Sequence, residues 1–223
     1  MTPKPTVVKC GGAVAADAAD AIFDVASSGP TAVVHGAGPQ ISAEMERRGL
    51  RVDFVGGRRV TTREVLEVVR ESMAEVNAAL CEALGEDAVP LFGDEIGLKA
   101  LQVASLGLVG DPVPSAPTAV LAALAAGRIP VVAPLAEGPL NVNADEAAAA
   151  LAVGLGAERI VFVTDVPGVL ERGVVVPVVD AEEAARLLDS GALTDGIVPK
   201  LRAALTAAHL GVQAQIGQTA VVA

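Results

Sequence analysis

The feature that most constrains the fold is a repeated alternation of short apolar runs with longer amphipathic stretches. The runs are rich in Val, Ala and Ile and contain few polar positions, which is typical of strands covered on both faces of a sheet. Strands that alternate with helices predict a mostly parallel central sheet sandwiched between helices, an α/β/α arrangement. The predicted strands are Thr6–Cys10, Thr31–His35, Ala88–Phe92, Ile129–Ala133, Arg159–Val163 and Val212–Ile216.

The amphipathic stretches predict the helices that cover this sheet. They are Ala15–Ser28, Gln40–Gly49, Thr61–Leu84, Ser115–Ala126, Ala144–Gly156, Ala181–Ser190 and Asp195–Leu210. The longest of them opens with Thr-Thr-Arg-Glu, a pattern that favours a helix cap. Residues 89–111 interrupt the alternation with several glycines, and we expect β-hairpins near a rim there. A boundary between two lobes is expected near residues 137–142.

Composition excludes several classes of protein. The 223 residues contain 27 acidic and 16 basic side chains, a net charge of −11, with no basic run and no Trp or Tyr. Nucleic acid and anionic membrane surfaces are therefore poor candidate partners. No apolar stretch reaches the roughly 18 to 20 residues of a membrane-spanning helix, and no signal peptide is expected. The isolated Cys10 and Cys81 favour a reducing cytoplasm over a disulfide or zinc scaffold.

Two strand ends carry glycine-rich turns. The segment VVKCGG at residues 7–12 places Lys9 in a strand that should be buried, directly before Gly11 and Gly12. A lysine there is costly unless it reaches the strand end or meets an anion, and such a turn before a helix can bind an anion. A tight turn beside a strand-end lysine explains the same pattern without a ligand. VVHGAGPQ at residues 33–40 repeats the arrangement, and we expect His35 to be a packed side chain rather than a catalyst.

Asn141, Asn143 and Asp145 follow one another at a spacing of two residues, just before and within an Ala-rich predicted helix. In an extended segment this spacing points the side chains to one side. A helix cap would explain one such residue. Three together favour a polar site for an amide or a carboxylate.

Three further segments are compatible with ligand binding or with ordinary surface roles. TDVPGVL at residues 164–170 follows a predicted strand, where open α/β sheets bind ligands. TDGIVPK at residues 194–200 predicts a helix start with Lys200 in the region where the helix dipole disfavours a cation. An adjacent polyanion would explain that lysine, as would simple solvation. The arginine pair of GGRRVTT at residues 56–62 suits a carboxylate or solvent.

In this order, the motifs VVKCGG, HGAGP, GRRVT, NVNAD, TDVPGVL and TDGIVPK resemble the amino acid kinase family from about residue 5 to the end. The resemblance implies that family's fold as a single domain over residues 1–223. It further implies a substrate-binding and dimerisation lobe over residues 1–138 and a nucleotide-binding lobe over 139–223. The implied reaction is ATP-dependent phosphorylation of the γ-carboxylate of N-acetyl-L-glutamate, the second step of arginine biosynthesis, by a cytoplasmic homodimer.

The resemblance also implies roles for individual residues. Lys9 and Lys200 would neutralise charge on the transferring phosphoryl group, and Asp145 would hold both lysines in place. The implied substrate-binding residues are Ala37, Gly38, Arg59, Asn141 and Asn143. The implied ATP-binding residues are Gly11, Gly12, Asp165, Gly168, Val169, Leu170, Leu193 and Thr194. Mg²⁺ is expected on the nucleotide phosphates, with no metal ligand supplied by the protein.

The chain departs from the family pattern at two points. Ala37 stands where the family usually has a third glycine, and its methyl group is expected to crowd the substrate. No helix precedes the first strand, so the resemblance implies a dimer without the arginine-inhibited hexamer.

Two alternatives to this function stay open. A sister kinase acts on carrier-protein-linked aminoadipate or glutamate, and it should present a basic patch that this acidic chain lacks. A non-catalytic small-molecule sensor could use the same fold, although the intact Lys9, Asp145 and Lys200 disfavour it.

Overall fold

The computed structural model describes residues 3–11, 15–191, 193 and 196–223, apart from the side chains of residues 15–17. Its strands are β1 Thr6–Cys10, β2 Thr31–His35, β3 Phe54–Val55, β4 Arg58–Arg59, β5 Ala88–Phe92, β6 Ala100–Gln102, β7 Val109–Pro112, β8 Ile129–Ala133, β9 Leu135–Ala136, β10 Leu140–Val142, β11 Arg159–Phe162, β12 Leu170–Glu171, β13 Val174–Val175, β14 Val178–Val179, β15 Gln213–Ile216 and β16 Thr219–Val221. Its α-helices are α1 Ala15–Ala26, α2 Gly38–Arg47, α3 Arg63–Leu84, α4 Thr118–Ala125, α5 Ala144–Gly154, α6 Ala181–Asp189 and α7 Ile197–His209.

The main sheet of the described chain has eight strands in the order β14-β16-β15-β11-β1-β2-β8-β5. The six strands from β15 to β5 are parallel, and β16 turns back antiparallel to β15. Both faces of this sheet are covered, because neighbouring residues of β1 enter different clusters. Val7 packs with α5 and α7, whereas Val8 packs with α1 and α3. The predicted α/β/α sandwich is therefore confirmed.

The predicted elements agree closely with the observed ones. Each predicted strand is confirmed, four of them with the same ends and two with one residue fewer. Each predicted helix is present, with its ends displaced by at most three residues. One difference has a clear cause: Thr62, not Thr61, caps α3, and its side chain accepts a hydrogen bond from the Val65 N–H at 3.2 Å. The Thr61 hydroxyl instead donates to the Arg59 carbonyl.

The interrupted region around residues 89–111 builds a rim beside the main sheet. Its first residues belong to β5 at the sheet edge, and β6 and β7 form the expected antiparallel pair. β7 pairs in parallel with β10. Asn143, which follows β10 and precedes α5, therefore lies on the same rim. At Gly107 a Cβ would lie 2.4 Å from the Thr61 carbonyl oxygen, and φ is +84°, so this close approach requires glycine.

None of the helices in the described part of the chain is both long enough and apolar enough to cross a membrane.

Candidate active site

The candidate site lies where the parallel strands β1 and β2 end. Cys10 and His35 are partners in register, so the turns that follow the two strands open at the same sheet edge. The N-termini of α2, α5 and α7 border the same space, a cavity of about 390 Å³. Its lining includes Lys9, Gly11, Ala37, Gly38, Arg59, Asn141, Asn143, Asp145 and Lys200. The structure thus gathers the residues proposed for catalysis and for substrate binding around one cavity.

Asp145 links the two lysines. Its Oδ1 lies 2.8 Å from the Lys9 Nζ and 3.9 Å from the Lys200 Nζ. Lys9 and Asp145 are each only 5% exposed. The contact with Lys9 is an ion pair rather than an aligned hydrogen bond, because Oδ1 accepts no hydrogen bond of good geometry. One buried carboxylate beside two lysines leaves an excess of positive charge, and that excess favours an anionic ligand.

Lys200 lies in the first turn of α7, as its position in the sequence suggested. Its Nζ donates a hydrogen bond to the Gly196 carbonyl at 3.0 Å. Burial lowers the pKa of Lys200, Lys9 lowers it further, and Asp145 and Asp165 oppose the shift. A ligand phosphate here would restore charge balance to a cation placed near a positive helix end. The α7 cap predicted at Thr194 or Asp195 lies outside the described residues, and the described N-cap is Gly196.

Asn143 combines the two roles that the sequence left open. Its Oδ1 caps α5 by accepting from the N–H groups of Asp145 and Glu146, at 2.9 and 3.2 Å. Its Nδ2 donates to the carbonyl of Gly57, another residue of the cavity lining, at 3.2 Å. The cap fixes the backbone that carries Asp145, so the same amide supports the ion pair and lines the cavity.

Arg59 is a buried arginine whose described partners are neutral. Its guanidinium donates to the Gly38 carbonyl at 3.1 Å and the Ser42 hydroxyl at 2.8 Å, and it lies 4.6 Å from the centre of the Phe54 ring. Among the residues that the structure describes, no carboxylate lies within 4.0 Å of it. Burial lowers the pKa of Arg59. A buried guanidinium held open towards a cavity is suited to bind a carboxylate.

The second glycine turn supplies backbone donors. Ala37 is the N-cap of α2, and no side chain caps this helix start. Gly38 is the first helical residue, so uncapped N–H groups border the cavity. His35 is fully buried behind this turn and hydrogen-bonds with the Asn77 amide, as expected for a packed histidine.

Of the described residues proposed for nucleotide binding, Gly11 lines this cavity, whereas Asp165, Gly168, Val169, Leu170 and Leu193 are not part of its lining. Gly168 and Val169 pack against β16: the Val169 N–H donates to the Thr219 hydroxyl at 2.9 Å, and the Val169 side chain is fully buried. Asp165 follows β11, and Leu193 is half-buried against the core. Gly12 and Thr194 lie outside the described residues. The nucleotide role of this whole set stays a prediction.

The structure adds residues that the sequence did not single out. The carbonyl oxygens of Gly57 and Gly196 accept hydrogen bonds from Asn143 and Lys200. A backbone acceptor cannot be predicted from a pattern of side chains. Thr61 links two predicted residues, because its hydroxyl accepts from the Asn141 amide at 3.0 Å and donates to the Arg59 carbonyl at 2.8 Å. Arg58 belongs to the predicted arginine pair, but its partners Glu146 and Asp111 are remote in the sequence.

These features describe an α/β protein in which two lysines, one aspartate and three helix N-termini surround a cavity at the carboxyl edge of the sheet, where open α/β sheets bind ligands. The chain belongs to the amino acid kinase family, whose sequence profile matches residues 4–218.

Individual relatives support this assignment. The acetylglutamate kinase of Salinispora tropica is 42% identical, over 93% of this chain and 79% of its own. That of Rubrobacter xylanophilus is also 42% identical, over 96% of this chain and 88% of its own. Among solved structures, smu.665 from Streptococcus mutans UA159 superposes with a TM-score of 0.87 at 28% identity, with 98% of each chain covered. Carbamate kinase from Giardia lamblia, at 15% identity and a TM-score of 0.71, shares the fold over 99% of this chain and 98% of its own.

Proposed function

We propose that the protein phosphorylates the γ-carboxylate of N-acetyl-L-glutamate with ATP, forming an acyl phosphate for arginine biosynthesis. The observation that carries this proposal is the cavity shared by the Lys9–Asp145–Lys200 cluster and Arg59, which has no carboxylate partner among the described residues. The names of the 42% identical relatives, given above, support the same substrate.

The chemistry needs charge neutralisation and alignment rather than a protein nucleophile. A γ-carboxylate is ionised at neutral pH, so it can attack the terminal phosphorus of ATP without a general base. As the new O–P bond forms and the bond to ADP breaks, negative charge is spread over the equatorial phosphoryl oxygens. Lys9 and Lys200 would bind those oxygens, and Asp145 would keep the two ammonium groups in place.

The other end of the cavity suits the acylated amino acid. Arg59 would bind its remaining carboxylate, because this buried guanidinium lacks an anionic partner among the described residues. Asn141 and Asn143 would orient the acetamido group, and the Ala37 and Gly38 N–H groups would approach the reacting carboxylate. The Ala37 side chain is buried in the hydrophobic cluster that includes Ile41 and Met45, so its expected crowding of the substrate stays a prediction.

The proposal also covers the binding of ATP and Mg²⁺. The groups at Gly11, Gly12, Asp165, Gly168, Val169, Leu170, Leu193 and Thr194 would bind ATP. Mg²⁺ would arrive on the nucleotide phosphates and supply further charge neutralisation there. Residues 1–138 would form the substrate-binding and dimerisation lobe, and residues 139–223 the nucleotide-binding lobe. A cytoplasmic location fits free Cys10 and Cys81.

The experiment is trapping of an acyl phosphate by hydroxylamine in the presence of MgATP. The acceptor panel is N-acetylglutamate, glutamate, aspartate and N-acetylaspartate. We expect turnover with N-acetylglutamate alone. Lys9→Met and Lys200→Met should each lower kcat by roughly 100-fold or more, because each removes a charge that stabilises the transition state. Lys99→Met, at an exposed lysine far from the site, is the matched control and should retain wild-type activity.

Three results would contradict the proposal or part of it. A folded protein that binds ATP yet is silent across the panel would favour a carrier-protein-linked acceptor. A protein that binds no ATP would favour the sensor. Wild-type turnover in either lysine variant would show that the assigned catalytic groups are wrong.

A further inference from the structure

The hairpin β3–β4 is a small element in an exposed position. Its two strands have two residues each and form a separate sheet, with Gly56 and Gly57 at the turn in left-handed conformations. The Phe54 side chain is 54% exposed, so little apolar burial holds the hairpin in place. A free two-stranded hairpin is marginally stable in water. Backbone hydrogen bonds of Thr61 with Leu106 and Leu108 hold the chain just after β4. Side-chain links must therefore fix the hairpin itself.

The hairpin lines the cavity with Phe54, Gly57, Arg58 and Arg59, and its two arginines bond to different neighbouring elements. On one side, Arg59 donates to the Gly38 carbonyl and the Ser42 hydroxyl of α2. On the other side, Arg58 turns to α5, where its Nε lies 3.0 and 3.1 Å from the two carboxylate oxygens of Glu146. Adjacent residues of a strand point in opposite directions, so the two arginines reach different elements.

Arg58 makes a third contact. Its Nη2 donates to the Asp111 Oδ1 at 2.6 Å, which joins the hairpin to β7. The Arg58 and Glu146 side chains are 21% and 29% exposed, so solvent screens this pair less than a free surface pair. Charge-assisted bonds from one guanidinium to two carboxylates are strong and directional. Glu146 lies in the first turn of α5, directly after Asp145, so the link ends next to the catalytic cluster.

We propose that Arg58 is a positioning residue that latches the β3–β4 hairpin to α5 through Glu146 and to β7 through Asp111, and so holds Arg59 in place at the acceptor end of the cavity. This inference rests on the proposed function. The latch acts on the hairpin that carries Arg59, Gly57 and Phe54 into the cavity lining. It does not touch the lysine pair. Its loss should therefore weaken binding of the acylated amino acid far more than it slows the chemical step.

The kinetic experiment compares Arg58→Gln, Glu146→Gln and the double variant with the wild-type enzyme. We expect each single variant to raise KM for N-acetylglutamate about 10-fold, while kcat and KM for MgATP change less than about 2-fold. The double variant should be no worse than Arg58→Gln, because both changes remove the same link. Arg58→Lys should recover part of the loss. Arg51→Gln breaks a highly exposed ion pair with Asp53 near the hairpin and is the matched control.

A second measurement does not depend on turnover. Backbone amide exchange of residues 54–60 should become at least several-fold faster in Arg58→Gln and Glu146→Gln, without substrate, while the strands of the main sheet keep their protection. Unchanged exchange in this segment, or an unchanged KM for the acceptor, would overturn the latch. Equal increases in both KM values together with a lower Tm would also overturn it, because they indicate general destabilisation. If the wild-type enzyme itself is silent, the proposed function fails, and the exchange data alone decide whether the latch exists.

Discussion

The position of both lysines in the candidate site depends on one carboxylate oxygen of Asp145. Its Oδ1 lies within 4 Å of two lysine ammonium groups that belong to a strand and to a helix far apart in the sequence. The attraction between these buried charges keeps the two cations closer together than their mutual repulsion would otherwise allow. The aspartate therefore acts by holding charges in position.

His35, in contrast to the charged Asp145, is kept neutral by burial. The Asn77 amide nitrogen donates to the Val131 carbonyl at 3.0 Å and faces the His35 Nε2 at 3.0 Å. Nε2 must then accept, and Nδ1–H is left to donate to the Gly36 carbonyl at 3.4 Å. Burial lowers the pKa of His35 to about 4; the Gly36 hydrogen bond opposes this and Lys9 adds to it.

We therefore expect the free energy of unfolding to fall as the pH is lowered from about 6.5 towards 4. In that window the unfolded chain binds a proton at residue 35 and the folded chain does not, so acid favours unfolding. Between pH 7 and pH 5 the loss due to this residue is about 2 kcal/mol. Urea unfolding at the two pH values measures it, and His35→Gln should lose correspondingly less. An equal loss in the variant would contradict the assignment.

At the scale of elements, the first turn of α5 contains both a helix cap and residues of the candidate site. Asn143 caps the helix, Asp145 holds the lysines and Glu146 receives Arg58, all within one helical turn. Carboxylates in a first turn also interact favourably with the helix dipole. The helix start thus fixes three functional groups relative to one another.

Asn143→Ala should lower the free energy of unfolding by about 1 kcal/mol, because two backbone N–H groups lose their acceptor. Asn143→Ser is the matched variant: its hydroxyl can still cap the helix but cannot replace the amide that donates to Gly57. We expect it to recover most of the stability and none of that cavity contact. Chemical denaturation of both variants measures the difference. Equal stability of the Ala and Ser variants would argue against the cap.

At the scale of the whole molecule, the family resemblance implies a homodimer. β5 forms one edge of the main sheet, and its outer side pairs with no strand in the described part of the chain. Unpaired strand edges favour association or need protection. We expect light scattering after size exclusion to report about twice the 22.3 kDa chain mass. A stable monomer or a hexamer would contradict this expectation.

Much of the fold was predictable, because burial on both faces leaves a local record in the sequence. The strand Ile129–Ala133 is apolar at every position, and glycines directly follow β1 and β2. The Asn141, Asn143 and Asp145 pattern was also readable, since all three positions lie close together in the chain. The Arg58–Glu146 link could not be predicted, because the two residues are 88 positions apart and no local pattern connects them.

The α/β class and the approximate ends of the strands and helices follow from the sequence alone, because local hydrophobic period and turn chemistry encode them. The sequence also drew attention to Lys9, Lys200 and Asp145 by their positions, whereas their proposed roles came from the family resemblance. Only the tertiary structure decided which side chains meet: Lys9 with Asp145, Arg59 with α2, and Arg58 with Glu146 and Asp111. Those meetings depend on strand order, register and helix placement, which arise from the packing of the whole chain and from no single segment.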